Sequence, residues 1–446
     1  MTSGTTELSC NQSGNELPSG WTETPVARLI ERHFSGPSPD CEERQIASDE
    51  EWAVLKTTAI TWSGWNETAH KVLPQRYWGL SDIEVRHGDV LVTKAGPRDR
   101  VAVVVHVTTH PKRLIVSGKI IGLRPRTDEV LPQVLAVALS LREPQDYIHA
   151  RTTGMAESQV NFANNVLLET KVRIPNFPEQ QRIAPVLDTV DDAIAKTEAV
   201  IAKLKQVRAG LLHDLLTRGL DEHGELRDPV AHPEQFQDSP LGRIPSQWDV
   251  LCLESVNETS SPICYGIVQA MEFVPDGVPV LTIRDLLGDF ATGLHRTAMS
   301  IDATYARSRV RPGDVLISIK GTIGRVALVP PHYQGNISRD LARVRPNDRL
   351  QGTFLVHLLR SVRGQRKLER AQVGTTRADL SIAPLKLLRF AFPLPNEQQR
   401  IARVLDEHDA LIRVHEVECD KIRKLKSGLM ADLLSGRVRV PAGIGA

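Results

Sequence analysis

The sequence predicts a mixed α/β protein built twice over, two domains rich in short strands that are each followed by one long helix. Three recurrences predict it. Glu179-Gln180-Gln181-Arg182-Ile183-Ala184 returns as Glu397-Gln398-Gln399-Arg400-Ile401-Ala402, and the likeness runs on without a gap to Asp214-Leu215-Leu216 and Asp432-Leu433-Leu434. Upstream, Gly88-Asp89-Val90-Leu91-Val92 and Arg100-Val101-Ala102 answer to Gly313-Asp314-Val315-Leu316-Ile317 and Arg325-Val326-Ala327 at one shared offset. Leu17-Pro18-Ser19-Gly20-Trp21 answers to Ile244-Pro245-Ser246-Gln247-Trp248.

Taken in chain order, the first twenty residues are rich in Ser, Gly, Asn and Thr without a basic start or an apolar run, and the tail is expected over 1–16. They predict a frayed tail and no secretory signal. A mixed domain is expected over 17–175, with β-branched runs at Val101 to Val107 and Arg113 to Ile121 and a helix near Val134 to Leu141. The first long helix follows over 176–218. With Ile183 as heptad position a, the series Ile183, Val190, Thr197, Leu204, Leu211 and the d series Val186, Ala193, Val200, Val207 form an apolar seam. Pro185 inside this pattern lacks an N–H and should kink or delay the helix.

A linker is expected over 219–246, where Gly224, Pro229, Pro233, Pro240, Gly242 and Pro245 favour a loop over a packed element. The second mixed domain, 247–394, has strands at Val315 to Ile319 and Val326 to Val329 and a helix from Phe354 to Gln365. The second long helix covers 395–436, with Asn396 and Gln399 suited to a capping box, and a tail covers 437–446. Its seam is rougher. Ile401, His408, His415, Ile422 and Leu429 hold a, Glu418 interrupts the d series Val404, Leu411, Leu425, and Leu405, Ile412 and Cys419 offer an adjacent stripe. At 1.5 Å per residue each helix is a rod of roughly 57 Å.

Composition removes several function classes. The chain has 446 residues, 41% hydrophobic and 24% charged, which suits water-soluble domains rather than disorder or a membrane bundle. Cysteines 10, 41, 252, 264 and 419 are odd in number and have no C-x-x-C spacing, so reduced thiols of a cytoplasmic protein are expected. There is no phosphate loop, dinucleotide fingerprint, zinc-protease helix, nucleophile elbow or Asn-Pro-Pro-aromatic motif. No catalytic, cofactor or metal residue is therefore nominated. His213, His223 and His232 stand at irregular spacing and read as surface histidines.

Formal charge is only +1, from 55 basic and 54 acidic residues, so any nucleic-acid signal must be local. It is local. Arg86, Lys94, Arg98, Arg100, Lys112, Arg113, Lys119, Arg124 and Arg126 stand against Asp89 and Asp99 alone. In the second domain Arg360, Arg363, Arg366, Lys367, Arg370 and Arg377 stand against Glu369, and Lys320 and Arg325 flank the Gly-rich loop Lys320-Gly321-Thr322-Ile323-Gly324-Arg325. Such clusters neutralise phosphates and put Arg, Gln and Asn within reach of base edges. Two unlike basic domains on long rods would read two different half-sites across an unread spacer.

These residues carry a family resemblance. Pro175-Asn176-Phe177-Pro178 with Glu179 to Ala184, Pro393-Leu394-Pro395-Asn396 with Glu397 to Ala402, the linker Ser239-Pro240-Leu241-Gly242-Arg243-Ile244-Pro245 with Trp248, and Gly313-Asp314-Val315-Leu316 together resemble the specificity subunit of Type I restriction-modification systems, over about residues 17 to 436. The resemblance implies an α+β architecture: two target recognition domains separated by two long helices packed as an antiparallel coiled coil, with a pseudo-twofold internal repeat. It implies double-stranded DNA as ligand, no catalytic site and no cofactor. It also implies two methyltransferase subunits docked along the helices, with ATP-driven restriction subunits able to join. Carried over by position, the segments near DNA are Lys320 to Arg325, the counterpart Lys94 to Arg100, Gln372 to Asp379 and Thr152 to Gln159. The nominated DNA contacts are Lys94, Arg98, Arg100, Lys320, Thr322, Arg325, Arg363, Lys367 and Arg377. Two other readings remain open on the residues alone: a solo DNA-acting enzyme using Asp188, Asp191 and Asp192, and a coiled-coil scaffold that binds protein only.

Overall fold

Every residue of Val90–Thr93 is buried, and its pattern explains why the strand reads as one apolar run. Val90 and Val92 face a cluster that includes Val134, Leu135, Leu139, Phe162 and Ile183, while Leu91 faces another that includes Leu55, Val103, Val105 and Ile120. A strand covered on both faces must also satisfy its backbone on both edges. It does so in an antiparallel sheet of four, in the order Ile30–Phe34, Ile120–Pro125, Val90–Thr93, Val104–His106. Behind it lies a three-stranded sheet of Leu114–Ile115, Ala53–Leu55 and His70–Val72.

The computed structural model describes residues 17–372 and 379–441. They fall into two units: the described residues up to Thr197 with those from Glu418 onward, and Glu198–Val417. Arg377 and the expected tail over 1–16 lie outside the described residues.

The second unit repeats the first. Its four-stranded sheet runs Cys264–Tyr265, Leu341–Val344, Val315–Ser318, Val326–Leu328, beside a sheet of His295–Thr297, Val278–Leu281 and Asn336–Ile337. The Gly-Asp pair that opens each central strand has one job in both. Asp89 accepts from the Arg86 N–H at 2.8 Å and from Arg124 at 2.9 Å twice. Asp314 accepts from the Arg311 N–H at 2.8 Å and from Arg345 at 2.8 and 2.7 Å. Arg124, one of the basic residues that the sequence suggests for a charged surface, is thus an internal counter-ion, and Arg345 has the same role in the second unit.

The repeated Glu-Gln pair roots each long helix in its unit. Gln180 accepts from the Leu131 N–H at 2.8 Å and donates to the carbonyls of Glu129 and Pro175, at 3.0 and 2.9 Å. Gln398 accepts from the Gln351 N–H and donates to the carbonyls of Arg349 and Pro393, all at 2.8 Å. Glu179 and Glu397 each accept from a tryptophan indole, Trp21 and Trp248, at 3.2 Å. That is why the tryptophan segments recur with the helices.

The first long helix is Phe177–Leu215 and the second Pro395–Leu433. The first helix continues through Pro185 and is capped by Asn176, whose side chain accepts from the Glu179 N–H at 3.0 Å. The capping box expected at Asn396 is not formed, because the helix already begins at Pro395, where a missing N–H costs nothing. Within each unit the helices pack antiparallel, since partners descend along one as they ascend the other. In the first unit Glu179 meets Arg439 and Asp191 meets Lys426. In the second Lys205 meets Glu416 at 2.7 Å and Arg208 meets Asp409 at 2.7 Å. Asp191–Lys426 and Arg208–Asp409 are the same contact in the two copies of the repeat.

The buried seam is shifted from the expected one. Leu187, Ile194 and Leu215 are buried beside Ile183, whereas Val200 and Val207 are 44% and 43% exposed. On the second helix Leu405, Ile412 and Cys419 are buried while Leu411 and Leu425 face out. Both helices therefore use the stripe one residue past the expected d series. Apolar residues on adjacent stripes leave the heptad register ambiguous until the partner is placed.

Three further departures have local causes. The helix expected from Phe354 to Gln365 is two, Gly352–Arg360 and Val362–Arg370, because Ser361 turns extended and its hydroxyl accepts from the Gly364 N–H as an N-cap. The linker contains a hairpin of Phe236–Ser239 and Gly242–Pro245, and Arg227 is buried against Glu397. Val101 to Val103 leave the sheet, because Ala102 adopts φ 63°.

Candidate nucleic-acid interface

The loop after each central strand is built on one hydroxyl. Ser318 donates to the Thr322 carbonyl at 2.5 Å and accepts from the Arg325 N–H at 2.8 Å, while the Gly324 N–H returns to the Ser318 carbonyl at 3.0 Å. Thr93 donates to the Arg100 carbonyl at 2.5 Å and accepts from the Val103 N–H at 3.0 Å, with the Ala102 N–H on the Thr93 carbonyl at 2.8 Å. The matching bonds pair Arg100 with Thr322, Ala102 with Gly324 and Val103 with Arg325. The first loop is three residues longer, so the single offset expected from sequence is wrong beyond the strand. Ala102 at φ 63° performs the left-handed turn that Gly324 makes at φ 87°.

A glutamine locks each loop to a helix. Gln365 donates to the carbonyls of Gly324 at 2.9 Å and Leu359 at 2.7 Å. Gln145, on the helix Arg142–His149, donates to those of Ala102 at 2.9 Å and Leu139 at 2.8 Å. In the second unit this bond brings together two segments far apart in sequence, the Lys320–Arg325 loop and the basic helix Val362–Arg370. Leu368 and Gly364 are buried beneath that helix, and Arg363, Arg366 and Arg370 are exposed. Their spacing of three and four residues places them in one row on the helix surface. Among the described residues none of the three has an ion-pair partner.

The other nominated residues are placed differently. Lys367 donates to the Arg389 carbonyl at 2.7 Å and sits 5.3 Å from the centre of the Phe390 ring, and burial, with Arg363 and Arg370 nearby, lowers its pKa. Arg100 donates to the carbonyls of Thr57 and Ile60, both at 3.3 Å. Arg98 pairs with Glu157 at 2.8 Å, stapling its loop to a ribbon of Thr153–Ala156 and Gln159–Asn161. Lys320 pairs with Asp379 at 3.4 Å, Thr322 is exposed, and Arg325 and Lys94 are half-buried. The ribbon was foreshadowed only by the family likeness at Thr152 to Gln159, because its polar, Gly-containing strands lack an apolar alternation.

The acid cluster of the alternative enzyme reading is structural in two of its three members. Asp191 pairs with Lys426, and Asp188 accepts from Gln133 at 3.1 Å, its pKa raised by burial and by Asp191 and Asp192. No group of His, Cys, Asp and Glu that could hold a metal occurs among the described residues. No helix among them is long and apolar enough to cross a membrane.

One buried histidine joins the second domain to the helices within its unit. His357 donates from Nε2 to Asp406 at 2.8 Å, and Arg208 approaches its Nδ1 at 3.4 Å. This pair of neighbours fixes the neutral tautomer. Burial lowers its pKa below 6.5, against the opposing pull of Asp406. The unfolded chain therefore takes up this proton first as pH falls through about 6.5, and the stability the neutral ring contributes above that pH is lost below it. His357→Gln should flatten the fall of melting temperature between neutral and mildly acidic pH; parallel curves for the two proteins would refute it. His106, also lowered by burial, remains in the variant and keeps part of the slope.

Comparison with known proteins assigns the repeat. The family model described as the Type I restriction modification DNA specificity domain matches residues 80–206 and again 270–424. The chain belongs to this family. Each match to the Type I specificity domain contains one hydroxyl-built loop, its locking glutamine and most of one long helix. The Type I restriction enzyme EcoEI specificity subunit of Escherichia coli is 31% identical over 204 residues, covering 45% of this chain and 34% of that one. The EcoBI specificity subunit of Escherichia coli is 28% identical over 267 residues, covering 58% and 55%. The alignments thus span about a third and about half of these relatives. Among solved structures, the S subunit of a Type I restriction-modification system from M. genitalium superposes with a TM-score of 0.54 at 15% identity, covering 96% of this chain and 98% of that one, a likeness of fold.

Proposed function

We propose that this protein is the non-catalytic, sequence-reading subunit of a cytoplasmic Type I restriction-modification complex. Its two recognition domains read the halves of a split double-stranded DNA target, the paired helices hold the domains apart, and methyltransferase subunits dock along those helices. The same assembly is one that ATP-dependent restriction subunits are able to join. The observation that carries the reading is the row Arg363, Arg366 and Arg370, set beside the Lys320–Arg325 loop by the Gln365–Gly324 bond. Rows of unpaired guanidinium groups hold a protein on phosphates, while adjacent loop residues specify bases. Val200, Val207, Leu411, Val414 and Val417 on the helices of the second unit are exposed, which supports a partner there.

The test is methylation by the complex reconstituted with its methyltransferase subunits. Adenine methylation confined to one bipartite sequence is expected, with weak, salt-sensitive DNA binding by the chain alone. Methylation without sequence preference would overturn the proposal, and metal-dependent cutting by the lone chain would revive the enzyme reading.

A further inference from the structure

Beside each hydroxyl-built loop, one residue of the loop stands against one residue of the returning segment, and the two units fill this place with different chemistry. The equivalence comes from the backbone. The Phe162 N–H bonds to the Lys94 carbonyl at 3.4 Å, as the Leu380 N–H bonds to the Ile319 carbonyl at 2.9 Å. One residue farther along the loop and one back along the returning segment, Ala95 pairs with Asn161 and Lys320 pairs with Asp379. In the first unit the place holds a methyl group and an amide. In the second it holds an ammonium and a carboxylate.

Asn161 is exposed and oriented. The Thr153 hydroxyl donates to its Oδ1 at 3.0 Å, which leaves Nδ2 free to donate and a second lone pair on Oδ1 to accept. Gln159 and Asn161 flank the buried Val160 on one strand, so Gln159 shares the solvent face with Asn161. The major groove admits an α-helix or a pair of β-strands, so the face that carries Ala95, Gln159 and Asn161 is offered to base edges there. There an amide matches adenine N6 and N7 and an alanine methyl matches the thymine methyl, whereas Lys matches guanine O6 and N7 and Asp accepts from cytosine N4. Each pair is complementary to both bases of one base pair.

Resting on the DNA-reading function proposed above, we propose that these two positions are specificity determinants: Ala95 and Asn161 read an A·T pair in one half-site, and Lys320 and Asp379 read a G·C pair in the other. On DNA, Lys320 and Asp379 exchange their 3.4 Å contact with each other for contacts to the two bases.

The test selects duplexes from a pool randomised in both half-sites, using the full-length chain with its methyltransferase subunits. Replacing the first pair by the second, Ala95→Lys with Asn161→Asp, should convert one position of one half-site from A·T to G·C by about tenfold or more and leave the other half-site unchanged. An unchanged A·T preference in a variant that melts like the parent overturns the proposal. A second variant, Asp379→Asn, is isosteric at a half-buried side chain and should loosen a G·C position in the opposite half-site by a similar factor; retention of G·C there also overturns it. A parent complex that selects no sequence at all is a different failure, that of the proposed function.

Discussion

Glu397→Ala is expected to lower stability by about 3–5 kcal/mol, among the largest losses available to a single substitution in this chain. The carboxylate is buried and accepts four hydrogen bonds: two from Arg227 at 2.7 and 3.1 Å, one from Trp248 at 3.2 Å and one from the Leu220 N–H at 2.9 Å. Removing it strands a guanidinium that is only 7% exposed, and an unpaired buried charge costs more than the pair itself contributes. The repeat supplies an internal control. Glu179 accepts from Trp21, but its basic neighbour Arg439 is 46% exposed and stands 3.7 Å away. Glu179→Ala should therefore cost about 1–3 kcal/mol, since Arg439 can turn to water. Denaturant midpoints of the two variants decide the matter, and equal losses would show that the buried arginine is not what sets the difference.

The same comparison shows what could be read from sequence and why the rest could not. The repeat, the long helices and the tryptophan segments are legible because Glu179, Gln180, Trp21 and their copies make side-chain bonds that few other residues could replace. The helix seam is misplaced by one residue, since Val200 and Val207 are apolar yet exposed, and periodicity alone does not say which of two apolar stripes finds a partner. The loop alignment fails for a related reason. Val101 to Val107 looks like one strand, but three extra residues and the left-handed Ala102 shift its pairing, so that the buried Val103 stands where the second unit has Arg325.

Charge counting fails in a more instructive way. Counting treats every basic residue as available, yet Arg124 neutralises Asp89, Arg126 donates to the Ile30 carbonyl at 3.1 Å, and Arg113 donates to the Asp49 carbonyl at 2.6 Å. A long side chain near an unpaired carbonyl is part of the fold's own hydrogen bonding. What separates such residues from those left for a ligand is the partner, which the sequence does not display.

That distinction gives the largest functional effect. The triple change Arg363→Ala, Arg366→Ala and Arg370→Ala is expected to weaken DNA binding by the full complex on the order of a hundredfold at physiological salt. It should also reduce the slope of log affinity against log salt by about 2.7, the release expected for three phosphate contacts. Sequence preference should survive, because phosphate contacts position the duplex without reading it. Folding should survive as well, since all three side chains are exposed on a helix anchored by Leu368, Ser361 and Gln365. Lys367→Ala, in the same turn, should behave in the opposite sense. Its ammonium is held by the Arg389 carbonyl and the Phe390 ring, so stability falls while the salt slope stays near that of the parent. Titrations at several salt concentrations separate the two outcomes. A slope unchanged by the triple substitution would move the phosphate contacts to another face of the domain, and a scaffold that binds only protein would show no change in any of these quantities.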